Sequence, residues 1–301
     1  METKILVTGA SGLIGRELCE QLFKNFHVIA IDNQFRYSYT PNCAEFVCAD
    51  VQSYLDSCTE EFDYIFHMGA INGTKYFYEI PNTVITNNIS GDQSVFRYAE
   101  KNPHCKIIYA SSSEVIADTN EFPTPEQTDI AIKDIHNPRW SYRLAKLVGE
   151  NYIANSNINY VIVRFYNVFG PASASGHFIR DILEKIDRGD FSLVGPNETR
   201  SFCRVEDAVD AVLNIFDKVK QTTVNIGSDE ELTVKEAANI IASAKGLSVN
   251  WKSLPSNYGS VTRRCPDITK LKTIYPQYNP KKFKDSIQDL WKQNNESQNT
   301  Q

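Results

Sequence analysis

The hydrophobic positions of the first 170 residues fall into short, near-continuous apolar runs separated by longer amphipathic stretches. The runs Lys4–Thr8, His27–Asp32, Glu45–Cys48, Tyr64–Met68, Lys106–Ala110 and Tyr160–Phe165 read as strands. Most are apolar throughout rather than alternating, which suits a parallel sheet covered on both faces. The amphipathic stretches Leu13–Asn25, Val51–Glu60, Asn82–Asn102 and Trp140–Ser156 read as helices. Strand–helix alternation of this kind predicts an α/β fold built on a doubly wound parallel sheet.

Beyond Gly170 and Pro171 the order changes. Helices are expected near 177–188, 205–219, 233–245 and 281–293, with short strands near 191–194, 223–226 and 248–252. This material predicts a smaller, mostly helical lobe on the carboxyl side of the sheet. The expected division is 1–170 for the sheet domain, with 204–227 returning to it, and 171–203 plus 228–293 for the lobe. Residues 294–301 read as a polar tail.

Composition narrows the class. With 301 residues, 42% hydrophobic and 23% charged, the chain can bury a large core. The formal charge of −6 argues against nucleic acid or an anionic membrane as a partner. Seven widely spaced cysteines with no CxxC suggest neither a disulfide framework nor a metal site, and reduced thiols fit a cytoplasmic protein. No apolar run approaches the ~20 residues of a membrane span. The amino terminus reads as a strand entering a glycine loop, not as a signal peptide.

That loop carries the first candidate chemistry. Gly9, Gly12 and Gly15 are spaced three and three, between an apolar strand and an amphipathic helix. Such a loop brings backbone close to a pyrophosphate at the positive end of the following helix. Asp32 ends the second strand, where a carboxylate accepts hydrogen bonds from a ribose and repels a 2′-phosphate. NAD is therefore favoured over NADP, and the sheet reads as a Rossmann sheet. Arg36 follows closely, either weakening that preference or serving the surface.

Further motifs continue along the chain: Cys48-Ala49-Asp50-Val51, His67-Met68-Gly69-Ala70, Asn88-Ile89-Ser90-Gly91, the serines 111–113 before Glu114 and Val115, Tyr142-x-x-x-Lys146, and Arg164 to Pro171. Thr199 to Asp207, Asn225-Ile226-Gly227 and Arg263 to Asp267 follow. Together these resemble the extended short-chain dehydrogenase/reductase family, which includes NAD-dependent nucleotide-sugar epimerases and dehydratases. The resemblance covers residues 3 to about 290.

It implies cofactor contacts from Gly9, Ser11, Gly12, Leu13, Ile14, Gly15, Asp32, Asn33, Asp50, Val51, Met68, Gly69, Ala70, Asn88 and Tyr166. Tyr142 is implied as the acceptor of a sugar hydroxyl proton while hydride leaves for NAD. Lys146 would bind the nicotinamide ribose and, with the positive nicotinamide, lower the Tyr142 pKa. On a helix the two share a face. Register with the family's valine picks Ser112 as the catalytic serine, with Ser111 and Ser113 as alternatives. Ser112, Ser113, Glu114, Asn167, Arg200 and Arg264 are the implied substrate contacts, the two arginines facing a diphosphate.

Ser113 and Glu114 resemble the Ser-Glu of UDP-glucuronate decarboxylases; plain 4-epimerases usually carry a small or neutral residue at the second position. Glu114 either takes a proton beside a 4-ketone or anchors and supports the pocket. Lys75 and Asn72 read as sugar contacts or surface residues; His67, His136 and His177 form no ligand spacing. The leading expectation is a 4-epimerase acting through a transient 4-keto sugar. Decarboxylase, dehydratase and 4-dehydrogenase or reductase outcomes stand as alternatives, as does a non-catalytic NAD sensor or scaffold. The resemblance also implies a homodimer formed through Asn82–Asn102 and Trp140–Ser156.

Overall fold

A computed structural model describes residues 2–116, 119–132, 134–173, 176–256 and 260–298, with side chains described through Lys292. The first elements are β1 (Lys4–Thr8), α1 (Leu13–Leu22), β2 (His27–Asp32), β3 (Glu45–Cys48), α2 (Val51–Ser57) and β4 (Tyr64–His67). Next come α3 (Thr74–Glu79), α4 (Pro81–Lys101), β5 (Lys106–Ser112), α5 (Trp140–Ala154), β6 (Asn159–Phe165) and β7 (Val168–Phe169). Then follow α6 (Phe178–Asp187), β8 (Ser192–Val194), β9 (Thr199–Ser201), β10 (Cys203–Arg204), α7 (Val205–Ile215) and β11 (Thr222–Ile226). The last are β12 (Glu231–Thr233), α8 (Val234–Ala244), β13 (Lys252–Leu254), β14 (Arg263–Arg264), α9 (Thr269–Ile274) and α10 (Phe283–Gln298).

The chain divides into two compact units. The first holds Met1–Val115, Ile132–Phe165 and Val209–Val224; the second holds Ile116–Ala131, Tyr166–Ala208 and Asn225–Gln301. The first is a doubly wound α/β sheet of seven strands in the order 11-6-5-4-1-2-3. The five pairings from β3 to β6 are parallel, with Lys4 opposite His27 and Ile5 opposite Tyr64. Strand order reverses between β1 and β4. The crevice beyond their carboxyl ends is where such sheets bind ligands.

The apolar runs go where continuous hydrophobicity demands. Leu6, Ile29, Ile31, Ile65, Ile107 and Ile162 pack with Leu55 of α2 and Val95 and Phe96 of α4 in one core. Phe66 also meets Phe216, ring centroids 5.4 Å apart. Two helices stop sooner than their amphipathic pattern: α1 at Leu22, and α2 at Ser57 because Cys58 is already extended. Helix α3 has one buried residue, Phe77, too little periodicity to announce a helix.

The second unit has its own core. Ile179, Ile182 and Ile186 of α6 line one helix face and pack with Ala237, Ala238 and Ile241 of α8 and with Phe202 and Phe283. A capping box starts α8: the Glu236 N–H donates to Thr233 Oγ1, and the Thr233 N–H donates to Glu236 Oε2. Ile116–Ala131 belongs here, not to the sheet domain where its position before residue 170 had placed it. Thr124 explains this. Its N–H donates to the Cys265 carbonyl (2.8 Å), and its carbonyl accepts the Asp267 N–H (2.8 Å) and Asn225 Nδ2–H (3.0 Å). Helix α10 runs on through Gln298, into the stretch read as a polar tail; residues 299–301 lie outside the described ones.

Candidate active site

The loops at the switch between β1 and β4 are built to touch. Gly9 has φ +67°, and a Cβ there would stand 2.7 Å from Gly69 Cα, so both chains need glycine's bare backbone. A Cβ on Gly15 would stand 2.2 Å from the Gly9 carbonyl oxygen, which fixes how closely α1 follows the turn. Gly12 caps α1 without a side-chain hydrogen bond, leaving first-turn N–H groups available to an anion.

Around this turn the acidic and amide side chains converge. Asp32 is half-buried; its Oδ2 accepts the Ser11 N–H at 3.0 Å and its Oδ1 the Gln34 N–H at 2.6 Å. Burial pushes its carboxyl up, opposed by those two backbone donors. Asn33 Nδ2–H donates to Asp50 Oδ1 at 2.7 Å, joining the loops after β2 and β3. Asn88 spends its amide on backbone: Oδ1 accepts the Ile71 N–H (2.8 Å) and Nδ2–H donates to the Ile71 carbonyl (3.2 Å). It braces the chain just after Met68, Gly69 and Ala70.

Arg139 at the N-cap of α5 and residues 142, 143, 146 and 150 within it follow three- and four-residue spacing and share a face. Tyr142 is 5% exposed, its ring stacked on Phe77 with centroids 5.0 Å apart. Ser112 at the end of β5 favours the ionised form of the Tyr142 phenol. The other serines differ: Ser111 donates to Glu150 Oε1, and Ser113 opens the one-turn 3₁₀ segment Ser113–Ile116. Lys146 is 1% exposed, and its Nζ has no hydrogen-bond partner among the described residues.

The Tyr142 phenol is governed first by its burial. Burial holds it above the usual tyrosine range, the Ser112 hydrogen bond opposes this, Glu114 and Asp92 add to the rise, and Arg36 lowers it. The Arg36 guanidinium lies 5.6 Å from the centroid of the Tyr76 ring. Burial pushes the Lys146 ammonium down, countered by the Asp92 and Glu150 carboxylates.

Glu114 is 6% exposed, with both oxygens engaged. Arg139 donates Nε–H to Oε2 (3.0 Å) and Nη2–H to Oε1 (2.6 Å), and Arg143 Nη2–H reaches Oε2 at 3.4 Å. Arg143 also lies over the Trp140 ring, 4.2 Å from its centroid. Neither arginine was among the residues picked from sequence. Their four-residue spacing, offset by three from Tyr142 and Lys146, was the available signal.

In the second unit, β14 pairs with β9 in parallel so that Arg264 stands opposite Arg200. Arg200 Nη2–H donates to Glu198 Oε2 at 2.8 Å, and Arg264 is 7% exposed. Asn167 adopts φ +40° and donates Nδ2–H to the Ser201 carbonyl at 2.7 Å, tying its loop to β9. Tyr166 is 1% exposed, and a Cβ on Gly227 would stand 2.9 Å from Tyr166 Cβ.

The first-unit residues fit a dinucleotide. They combine an uncapped helix start beside bare glycine backbone, a half-buried carboxylate after β2, and a buried ammonium whose donors have no acceptor among the described residues. Among the described residues no helix is long and apolar enough to cross a membrane.

Comparisons with known proteins agree. The profile of the NAD dependent epimerase/dehydratase family matches residues 5–227. The UDP-N-acetyl-alpha-D-glucosaminuronate decarboxylase of Bacillus cytotoxicus is 31% identical over 93% of this chain and 94% of its own. The UDP-glucose 4-epimerase of Thermotoga maritima, solved with UDP-glucose, superposes with a TM-score of 0.88 at 22% identity, covering 98% of this chain and 99% of that one. The UDP-glucuronic acid 4-epimerase of Bacillus cereus, solved with UDP-glucuronic acid and NAD, has a TM-score of 0.82 at 25% identity, covering 96% and 98%. On the family match and the Bacillus cytotoxicus relative, the chain belongs to the NAD dependent epimerase/dehydratase family: it is an enzyme, and its cofactor is NAD.

Proposed function

We propose that this enzyme oxidises the C4 hydroxyl of a nucleotide-diphosphate sugar to a transient 4-ketone and reduces it again from the opposite face, a 4-epimerisation. The observation that carries this reading is the buried Tyr142 phenol, its ring stacked on Phe77 in an apolar cluster, one helical turn from the buried Lys146. NAD, when bound, supplies the hydride acceptor and then the hydride donor. The protein handles the proton. Tyr142 as phenolate takes the hydrogen of the C4 hydroxyl as the C4–H electron pair leaves, and later returns it to the new alkoxide. The Ser112 hydroxyl steadies that oxygen. Lys146, one turn along α5, offers an ammonium to the cofactor ribose and adds positive charge near the phenolate. Gly9, Ser11, Gly12, Leu13, Ile14 and Gly15 cradle the pyrophosphate, and Asp32, Asn33, Asp50 and Val51 serve the adenosine end. Arg200 and Arg264 are assigned to the substrate diphosphate, where guanidinium forks suit paired phosphate oxygens.

Glu114 bears on the outcome. A carboxylate already spent on Arg139 and Arg143 is a poor proton acceptor for the carbon beside a ketone. This supports epimerisation, which needs no second base, over dehydration. Decarboxylation is the second reading, favoured by the 31% identical decarboxylase relative. A 4-keto uronate is a β-keto acid and loses carbon dioxide without a further base, so held guanidiniums do not oppose it.

The test is proton NMR of the protein with NAD and, in turn, UDP-glucose, UDP-N-acetylglucosamine and UDP-glucuronic acid. A new anomeric signal without added reductant, with the couplings of the C4 epimer, is expected. Loss of the H5 carboxyl-bearing spin system to a pentose pattern establishes the second reading. No change with NAD bound overturns both for these sugars.

A further inference from the structure

Beneath the Tyr142 and Lys146 face lies a buried chain of polar groups that no part of the mechanism above uses. Thr8 Oγ1 accepts the Gly69 N–H at 3.0 Å and lies 2.7 Å from His67 Nδ1. His67 Nε2 lies 2.9 Å from Asp92 Oδ1, and the Tyr109 hydroxyl donates to Asp92 Oδ2 at 2.5 Å. Thr8, His67, Asp92 and Tyr109 are each 3% exposed or less. One tautomer satisfies every group: the Thr8 hydroxyl, which accepts from Gly69, donates to His67 Nδ1, and the His67 hydrogen sits on Nε2 and goes to Asp92. Tyr109 donates to the other oxygen, so both Asp92 oxygens accept, as in a carboxylate.

A buried carboxylate requires a cation. The other buried acids of this region have theirs: Glu150 is held by Arg164 (2.8 and 2.6 Å), and Glu114 by Arg139 and Arg143. The cation facing Asp92 is Lys146, whose Nζ is 3.8 Å from Oδ1 and 4.6 Å from the centroid of the Tyr109 ring. Gly149 makes the arrangement possible: a Cβ there would stand 2.6 Å from Asp92 Oδ2 and 2.1 Å from the Tyr109 hydroxyl oxygen.

We propose that Asp92 is a positioning residue for Lys146, the buried counter-charge that keeps the lysine an ammonium with its donors unspent and facing the cofactor ribose. The chain from Thr8 through His67 anchors that carboxylate to the glycine turn itself. The assignment rests on the reading of Lys146 as a cofactor ligand. The titratable groups facing the pair are His67 on β4, Tyr109 on β5, and Tyr142 and Glu150 on α5, the last neutralised by Arg164 on β6. Removing the Asp92 charge takes away what opposes burial of the ammonium, so Lys146 gives up its proton at lower pH.

The experiment is NAD affinity by calorimetry on the full chain from pH 6 to 9, for wild type and Asp92→Asn. The wild type is expected to hold its affinity across the range. Asp92→Asn is expected to bind normally at pH 6 and about tenfold more weakly by pH 9, as one charge-assisted hydrogen bond is lost. A parallel, pH-independent loss, or no loss, overturns the proposal. Should the variant fail to fold, nitrogen-15 NMR of the wild-type lysine side chains, with Lys146 assigned through Lys146→Met, decides the point. An ammonium persisting to pH 9 supports the counter-charge, and a neutral amine at pH 7.5 overturns it. Neither readout needs sugar turnover. Loss of the 4-epimerase reading, tested with Tyr142→Phe, leaves both unaffected.

Discussion

Arg139 grips Glu114 with two parallel hydrogen bonds, Nε–H to Oε2 at 3.0 Å and Nη2–H to Oε1 at 2.6 Å. The pair joins the one-turn segment after β5, which follows Ser112, to the start of α5, three residues before Tyr142. A fork of this kind fixes distance and orientation together. Its effect is to hold the serine and the tyrosine in one geometry. Glu114→Gln keeps the shape and removes the charge, leaving the buried Arg143 and half-buried Arg139 guanidiniums without their carboxylate. Breaking such a pair costs about 3–5 kcal/mol. Urea unfolding is expected to report a loss of that order, with turnover falling in proportion to misplacement. An unchanged midpoint with abolished turnover would instead mean that Glu114 acts on the sugar directly.

Tyr142→Phe removes the hydroxyl proposed as the proton acceptor and little else, since the ring keeps its stack on Phe77. Turnover is expected to fall by about 10²–10⁴, the usual contribution of a positioned acid–base group. NAD affinity, measured by calorimetry, is expected to stay within about twofold, because Lys146 and the glycine turn are untouched. Residual turnover near the wild-type level would remove Tyr142 from the mechanism.

Much of this was legible in the chain. Strands β1, β2 and β3 have the ends their apolar runs announce: β1 and β2 are buried almost throughout, leaving few polar positions to blur their limits, while β3 is short and lies at the sheet edge. The glycine turn, Asp32, Ser112, Tyr142 and Lys146 carry local patterns, and local patterns survive in sequence. What was hidden depends on long-range pairing. Arg139 and Arg143 matter because Glu114 lies 25 and 29 residues earlier. Asp92 matters because β4 and β5 bring His67 and Tyr109 to it. Ile116–Ala131 precedes residue 170, yet Thr124 bonds to Cys265 and Asp267 and carries it into the second unit. No periodicity encodes such partners.

His67 predicts an acid sensitivity. Burial holds its imidazole below the ordinary value of 6.5, the Asp92 carboxylate opposing, so the folded protein keeps it neutral while the unfolded chain takes up a proton. Stability is therefore lost as pH falls below about 6.5, by up to ~1.4 kcal/mol per pH unit, until the folded-state pKa is reached. His67→Gln, whose amide N–H can take the place of Nε2–H, lacks this slope. Subtracting the two unfolding profiles between pH 5 and 7.5 isolates the residue from every other titrating group. Parallel profiles would mean that folding leaves the His67 proton affinity where the unfolded chain has it.

Gly149→Ala sets two effects against each other. Alanine is the better helix residue by about 1 kcal/mol, so an unhindered site in the middle of α5 would gain stability. Here the new methyl would stand 2.1 Å from the Tyr109 hydroxyl oxygen and 2.6 Å from Asp92 Oδ2. Neither can retreat cheaply: Tyr109 is 0% and Asp92 2% exposed, and each is bonded to the other. Overpacking of a close-packed interior costs about 1–3 kcal/mol, and separating the two partners adds the cost of a buried hydrogen bond. The sum outweighs the helix gain. The variant is expected to unfold at lower urea concentration, and its affinity for NAD is expected to weaken at alkaline pH as the Asp92 carboxylate shifts against Lys146. A stabilised variant with wild-type NAD binding would show that α4 and α5 separate freely here and that their close approach plays no part in holding the lysine.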